Sequence, residues 1–170
     1  AEVHELHATE AIEEHVLGVP GDMFMEESLD SISKVEQQRL SKEFVKFNER
    51  CTLRLLGDMR AYNYVVIPTY DFDQVQFRIR AMDFDQQSFE GKLKVYRPQF
   101  FKDNYPFVKM VENNLGKESV DQYKKEERSA LAKRLKSSHN RIRRLLDCMK
   151  KDQISTPENI ENLKRELVDY

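Results

Sequence analysis

Two short polar segments flank the stretch of sequence that decides the fold. Residues 56–63 read Leu-Gly-Asp-Met-Arg-Ala-Tyr-Asn, and residues 82–85 read Met-Asp-Phe-Asp. Between them, residues 64–67 are apolar and mostly β-branched, and residues 75–82 alternate apolar with polar side chains, which is typical of a half-buried strand. The stretch therefore predicts a β-hairpin with a rather long, acidic tip at residues 69–73.

Outside the hairpin the periodicity is mostly helical. Apolar residues at three- to five-residue spacing predict an amphipathic helix from Glu27 to Phe47. Residues 51–56 are interpreted as a short strand that leads into the turn at Gly57. Residues 120–149 predict a helix with a bend near Ser138, and a last helix is expected from Pro157 to about Val168. The fold class that follows is α+β and mainly helical.

Size and composition predict one folded domain. A chain of 170 residues with 39% hydrophobic content, ten Phe and seven Tyr can form a substantial core, which excludes wholesale disorder. Residues 1–21 are interpreted as an acidic N-terminal segment that ends in a turn-forming stretch containing Gly and Pro. Residues 22–170 are interpreted as a single helical domain, with a catalytic-loop hairpin at about residues 51–85.

The cysteines and the hydropathy predict a cytoplasmic protein. Cys51 and Cys148 are the only cysteines, and no CxxC motif is present, so we expect free thiols in a reducing compartment. No apolar run approaches the roughly 18 residues that a membrane span needs. No signal peptide is visible. Because the sequence opens at Ala1 without an initiator Met, we expect a processed piece of a longer protein.

Asp58, Asn63 and Asp83 are the candidate functional residues. We expect Asp58 on an exposed turn, where Gly57 lets the backbone bend. Asn63 lies just before the next strand, and Asp83 ends the second strand of the hairpin, so both return to one end of the sheet. Taken singly, each residue is explained as a turn former or a helix cap. Their order, with a hairpin between them, favours phosphoryl transfer around a magnesium ion, which prefers oxygen ligands.

These segments resemble the catalytic loop and the metal-binding motif of the protein-kinase-like superfamily, especially its aminoglycoside/choline phosphotransferase branch. That branch reads His-Gly-Asp, four further residues and Asn, which residues 56–63 match except that Leu56 replaces His. The stretch Asp83-Phe84-Asp85 is similar to the metal-binding Asp motif of the branch. The resemblance implies a kinase-like large lobe, with helix 27–47 preceding the catalytic loop and residues 107–170 forming the helical lobe.

The resemblance also implies a role for each site residue. Asp58 would be the catalytic base, and Asn63 and Asp83 would hold Mg²⁺ and, through it, the phosphates of ATP. Asp85 would be a further metal contact. Arg60, near the same cleft, is a candidate phosphate contact. The predicted activity is ATP- and Mg²⁺-dependent phosphoryl transfer to a hydroxyl group of an unidentified acceptor.

The small lobe of the family is not recognisable in this sequence. A glycine-rich loop and a strand Lys with a partner Glu normally grip the nucleotide, and neither is found among the 170 residues. We expect these parts upstream in a longer parent, or a degenerate relative of the family. The alternative function is a pseudokinase-like or regulatory module that recognises another macromolecule through charged helices such as residues 133–144. A protein is the favoured partner, and a nucleic acid is the less favoured one. A third alternative is a purely structural domain with a fortuitous motif.

Overall fold

Helices dominate the chain, and a small antiparallel sheet forms one side of the core. The computed structural model describes residues 17–72, 74–84, 86, 93–151 and 156–168. Its strands are β1 (Val19–Pro20), β2 (Tyr64–Asp71) and β3 (Gln74–Ala81). Its α-helices are α1 (Gly21–Glu27), α2 (Lys34–Leu53), α3 (Tyr105–Asn114), α4 (Lys117–Ser137), α5 (His139–Met149) and α6 (Pro157–Val168). The predicted α+β, mainly helical class is confirmed.

Helix α2 begins and ends later than the sequence periodicity predicted. A capping box starts it, in which Ser33 Oγ accepts a hydrogen bond from the Glu36 backbone N–H and the Glu36 carboxylate accepts one from Ser33 N–H. The hydrogen bonds of this box lower the pKa of Glu36. The predicted single helix from Glu27 was therefore wrong, because the chain leaves helical geometry after α1 and restarts at the cap. The predicted strand at residues 51–56 was also wrong, since Cys51 lies fully buried in the last turns of α2.

The predicted hairpin is confirmed, with a tighter turn than expected. Strands β2 and β3 pair from Tyr64 opposite Ala81 to Asp71 opposite Gln74. The strands are thus separated by two residues, and the prediction of a long tip at residues 69–73 was wrong because both strands continue into it. Strand β1 adds to the other edge of β2, so that the strand order is β1-β2-β3.

Aromatic side chains fill the space between the sheet and the helices. Phe44 and Phe107 meet edge to face with ring centroids 5.2 Å apart, and Phe47 meets Tyr64 at 5.1 Å. Such pairs add to the free energy gained by burying the rings. Phe77 and Ile79 point from β3 into the same core, as their alternation predicted.

Two charged residues of α2 cover the free edge of β3. Glu43 accepts a hydrogen bond from the Ile79 backbone N–H at 2.9 Å, and Arg50 donates one to the Ile79 carbonyl at 3.2 Å. The two side chains also pair with each other, and each is less than a tenth exposed. An edge strand whose backbone groups are satisfied in this way is a poor template for pairing with another chain.

The C-terminal helices follow the predicted pattern only in part. A break at Ser138 separates α4 from α5, as predicted, and α6 spans the predicted residues. Leu146 is buried, but Leu135 is 44% exposed, so the predicted apolar stripe does not all face inward. None of the helices in the described ranges combines the length and the apolar character that crossing a lipid bilayer requires.

Candidate active site

The loop between α2 and β2 contains two residues in the left-handed region of backbone conformation. Leu55 has a φ of 53° and Asp58 a φ of 50°. Asp tolerates this conformation because its short side chain can bond locally, whereas Leu adopts it only under constraint. The bend that the sequence assigned to Gly57 is therefore made by its neighbours.

Gly57 is needed for a different reason, which is close packing. A Cβ atom at this position would lie 2.5 Å from the backbone oxygen of Gln86 and 3.1 Å from Cγ1 of Val95. Both distances are shorter than ordinary van der Waals contact. The segment that follows β3 thus lies directly on the loop that carries Asp58.

Asn63 closes the loop onto Asp58. Its Nδ2 donates a hydrogen bond to the Asp58 carbonyl at 2.7 Å, and the Arg60 backbone N–H donates to the same oxygen at 2.7 Å. Asn63 is only 7% exposed. Its Oδ1 accepts no hydrogen bond from the part of the chain that the structure describes. The structure therefore brings Asp58 and Asn63 together, with the amide oxygen left for another ligand.

Arg60 holds the carboxylate of Asp58. Its Nε lies 3.1 Å from Asp58 Oδ1, and its Nη1 lies 3.3 Å from Asp103 Oδ2. The guanidinium also lies over the Phe101 ring, 5.4 Å from the centroid. The pKa of Arg60 is raised, chiefly by the hydrogen bond to Asp58 and then by the one to Asp103. Because the side chains of Asp58 and Arg60 are 35% and 42% exposed, the pair is accessible to solvent.

The register of the hairpin places Asp83 beside this loop. Ala81 pairs with Tyr64, and the Met82 N–H donates to the Asn63 carbonyl at 2.9 Å, which extends the pairing by one residue. Asp83 is the next residue and is half-buried. The backbones of Asn63 and Asp83 therefore lie at the same end of the sheet, as expected. Asp85 lies outside the described residues.

Asn104 was not identified from the sequence, and its side chain holds the loop through a hydrogen bond to the Met59 carbonyl. Asn104 is fully buried, and its Nδ2 donates to the carbonyls of Met59 at 2.9 Å and Pro98 at 2.8 Å. Its Oδ1 accepts a hydrogen bond from the Tyr64 hydroxyl at 2.7 Å. Burial raises the pKa of Tyr64 well above its usual value, so this hydroxyl stays a donor. The only signal in the sequence is an Asn before Tyr105, at the start of a helix, yet this side chain makes no capping hydrogen bond.

The oxygen atoms near the loop suit a hard cation. Among the described residues, no group of three or more His, Cys, Asp or Glu side chains is placed to hold a metal ion. The candidate ligands are instead the carboxamide oxygen of Asn63 and the carboxylate of Asp83. Both side chains carry oxygen, the ligand type of which Mg²⁺ takes one or two from a protein before water and substrate phosphates complete its shell.

Comparisons of this chain with protein-family models, with curated proteins and with solved structures found no match.

Proposed function

We propose that this chain is the large-lobe part of a kinase-like phosphotransferase, which moves the γ-phosphoryl group of ATP to a hydroxyl acceptor. The observation that carries the proposal is the hydrogen bond from Asn63 Nδ2 to the Asp58 carbonyl, 2.7 Å long. It ties the amide of Asn63 to the backbone of Asp58 within one loop, and the hairpin register brings the backbone at Asp83 to the same end of the sheet. The order of the three residues agrees with the resemblance of residues 56–63 to a kinase-like catalytic loop.

In this proposal Asp58 is the catalytic base. Its Oδ1 is bound to Arg60, while its Oδ2 makes no hydrogen bond within the described chain and is left to accept the proton of the acceptor hydroxyl. Arg60 fixes the orientation of the carboxylate. It also puts a permanent positive charge within reach of a phosphoryl group, whose charge spreads over its oxygens in the transition state.

Asn63 and Asp83 would hold Mg²⁺ in the same proposal. When bound, the ion neutralises charge on the ATP phosphates. Asn63 contributes an oxygen whose direction is fixed, because the nitrogen of the same amide is held by Asp58. The cytoplasm, where ATP is available, is the compartment that we propose for this activity.

A second candidate function is a regulatory module that binds a protein partner through α4 and α5. Six basic residues in the second half of α4 and in α5 are exposed, which favours contact with an acidic partner. They are Lys133, Arg134, Lys136, Arg141, Arg143 and Arg144. A module of this kind would bind its partner without any requirement for Asp58, Asn63 or Asp83.

Calorimetric titration of Mg²⁺–ATP into the chain tests the proposed phosphotransferase. We expect one binding event that requires Mg²⁺, is lost in EDTA and is weakened by Asp83→Asn by at least roughly tenfold, since the variant removes a charged metal ligand. Asp71→Asn is the matched control, because Asp71 is exposed at the opposite end of the same hairpin. Asp58→Asn is expected to keep the binding, since accepting a proton plays no part in it.

Two results would count against the proposal. One is nucleotide binding that is insensitive to both EDTA and Asp83→Asn. The other is an equal loss of binding in Asp83→Asn and Asp71→Asn, which would show that any loss of acid on the hairpin has the same effect. A paramagnetic check is available: Mn²⁺ should broaden the NMR side-chain amide signal of Asn63 more strongly than that of Asn113, which is exposed on α3.

A further inference from the structure

A cavity with an unusual concentration of arginine lies beside the free edge of β3. Its volume is about 770 Å³, and its lining includes five arginines, while no Asp or Glu is among the described lining residues. The arginines come from three elements and the turn after α2. They are Arg50, Arg54, Arg78, Arg80 and Arg134.

Arg50 forms the buried back of this cavity. The residue is 5% exposed, and its Nη2 donates hydrogen bonds to Glu43 and to the Ile79 carbonyl. Its Nη1 is buried and has no hydrogen-bond partner within the described part of the chain, where the Glu127 carboxylate lies 3.6 Å away. A buried guanidinium keeps its charge, so an unsatisfied donor here is a cost that a bound anion in the cavity would reduce.

The acids behind the cavity offset only part of its charge. Glu43 pairs with Arg50 and lies 3.8 Å from Arg78 Nε, and Glu127 lies 3.6 Å from Arg50 Nη1. Arg134, in the last turns of α4, forms no ion pair within the described chain. Arg54 and Arg80 also contact other groups of the protein. Positive charge therefore exceeds negative charge at the wall formed by Arg78 and Arg134.

We propose that this cavity binds a small molecule through a multivalent phosphate group. Guanidinium groups match phosphate oxygens with paired hydrogen bonds, and several of them converge here from β3, α2 and α4. Phe47, Leu56 and Leu131 line the same space, which lowers the local dielectric and strengthens each contact. The volume suits a metabolite-sized ligand. Asn63 and Asp83 are not part of the lining, so the site works without a metal ion and does not depend on the proposed catalysis.

Titration calorimetry with inorganic tripolyphosphate, in a buffer of low ionic strength that contains EDTA, tests this site. We expect saturable binding, and each of Arg78→Gln and Arg134→Gln should weaken it by roughly tenfold or more, the loss of one charge-assisted contact. Both side chains are exposed, so the variants should fold. Arg141→Gln is the matched control, because Arg141 is exposed on α5 and does not line the cavity.

The same titrations distinguish specific binding in the cavity from non-specific electrostatic attraction to the protein surface. Absence of saturable binding at millimolar tripolyphosphate would overturn the proposal. An equal weakening in Arg141→Gln would also overturn it, because the net charge alone would then explain the binding. A further titration uses metal-free ATP. If ATP binds more tightly than tripolyphosphate and Arg134→Gln removes that binding, the ligand is a nucleotide. If ATP and tripolyphosphate bind equally well, the cavity recognises the phosphate chain alone. Since EDTA is present throughout, failure of the Mg²⁺–ATP experiment leaves this result standing.

Discussion

Replacing Asn104 with alanine should cost much of the stability of the domain. The side chain makes three hydrogen bonds of 2.7–2.9 Å, to the Tyr64 hydroxyl and to the carbonyls of Met59 and Pro98. Asn104 and Tyr64 are both fully buried, so the hydroxyl loses its partner at a site that bulk water does not reach in the native protein. At about 1 kcal/mol for each hydrogen bond, and more where a buried group stays unpaired, the free energy of unfolding should fall by about 3–5 kcal/mol.

Urea denaturation followed by far-ultraviolet circular dichroism measures this loss. We expect the midpoint to fall while the slope stays unchanged, because the substitution alters the native state and little of the surface exposed on unfolding. Asn113→Ala is the control, since Asn113 is exposed on α3, and its effect should stay within about 0.5 kcal/mol.

A second substitution separates the amide's hydrogen bonds from a general loss of packing. Tyr64→Phe removes one of the three bonds and should cost about 1–2 kcal/mol. The double variant should then cost less than the sum of the two single losses by about 1 kcal/mol, because both remove the same bond. Additive losses, or an Asn104→Ala effect no larger than that of Asn113→Ala, would refute the reasoning.

Two further predictions concern small side chains. Cys51 is fully buried, and burial raises the pKa of its thiol, so iodoacetamide should label the exposed Cys148 faster than Cys51 by roughly a thousandfold or more. Mass spectrometry of the native protein measures both labelling rates, and similar rates would contradict this prediction. Gly57→Ala should destabilise the fold by about 1–3 kcal/mol in urea denaturation, because its Cβ would overlap a backbone oxygen. Gly116→Ala, where nothing lies within 4 Å, is the control, and a loss as large there would remove the steric explanation.

Elements that local pattern determines were predictable from the sequence. The alternation of residues 75–82 sufficed for β3, and the Pro at residue 157 located the start of α6. The start of α2 was readable as well, since Ser33 and Glu36 form a capping box, but the apolar spacing across residues 27–47 obscured it. The wrong strand at residues 51–56 has the same origin, because a short apolar run fits the last turn of a buried helix as well as a strand.

The candidate site was predictable only where neighbours in sequence form it. Asp58 and Asn63 share one loop, and the pairing of the hairpin returns the backbone at Asp83 to the same end of the sheet, as the order of these residues led us to expect. Asn104 lies 45 residues after Met59, and a side chain that acts through such a contact leaves no periodic signal. The arginine cavity was missed for the same reason, because Arg50, Arg78 and Arg134 are far apart in sequence and meet only after the helices pack on β3.

The way the loop is held argues for a functional role. Leu55 and Asp58 adopt left-handed backbone conformations, which costs on the order of 1 kcal/mol for each residue that is not glycine. A loop that merely joined a helix to a strand would relax. Here two buried amides, Asn63 and Asn104, donate hydrogen bonds to the carbonyls of the consecutive residues 58 and 59. Such bracing fixes the backbone on which the side chains of Asp58 and Arg60 pair, and a carboxylate of fixed orientation is what the proposed proton transfer would require.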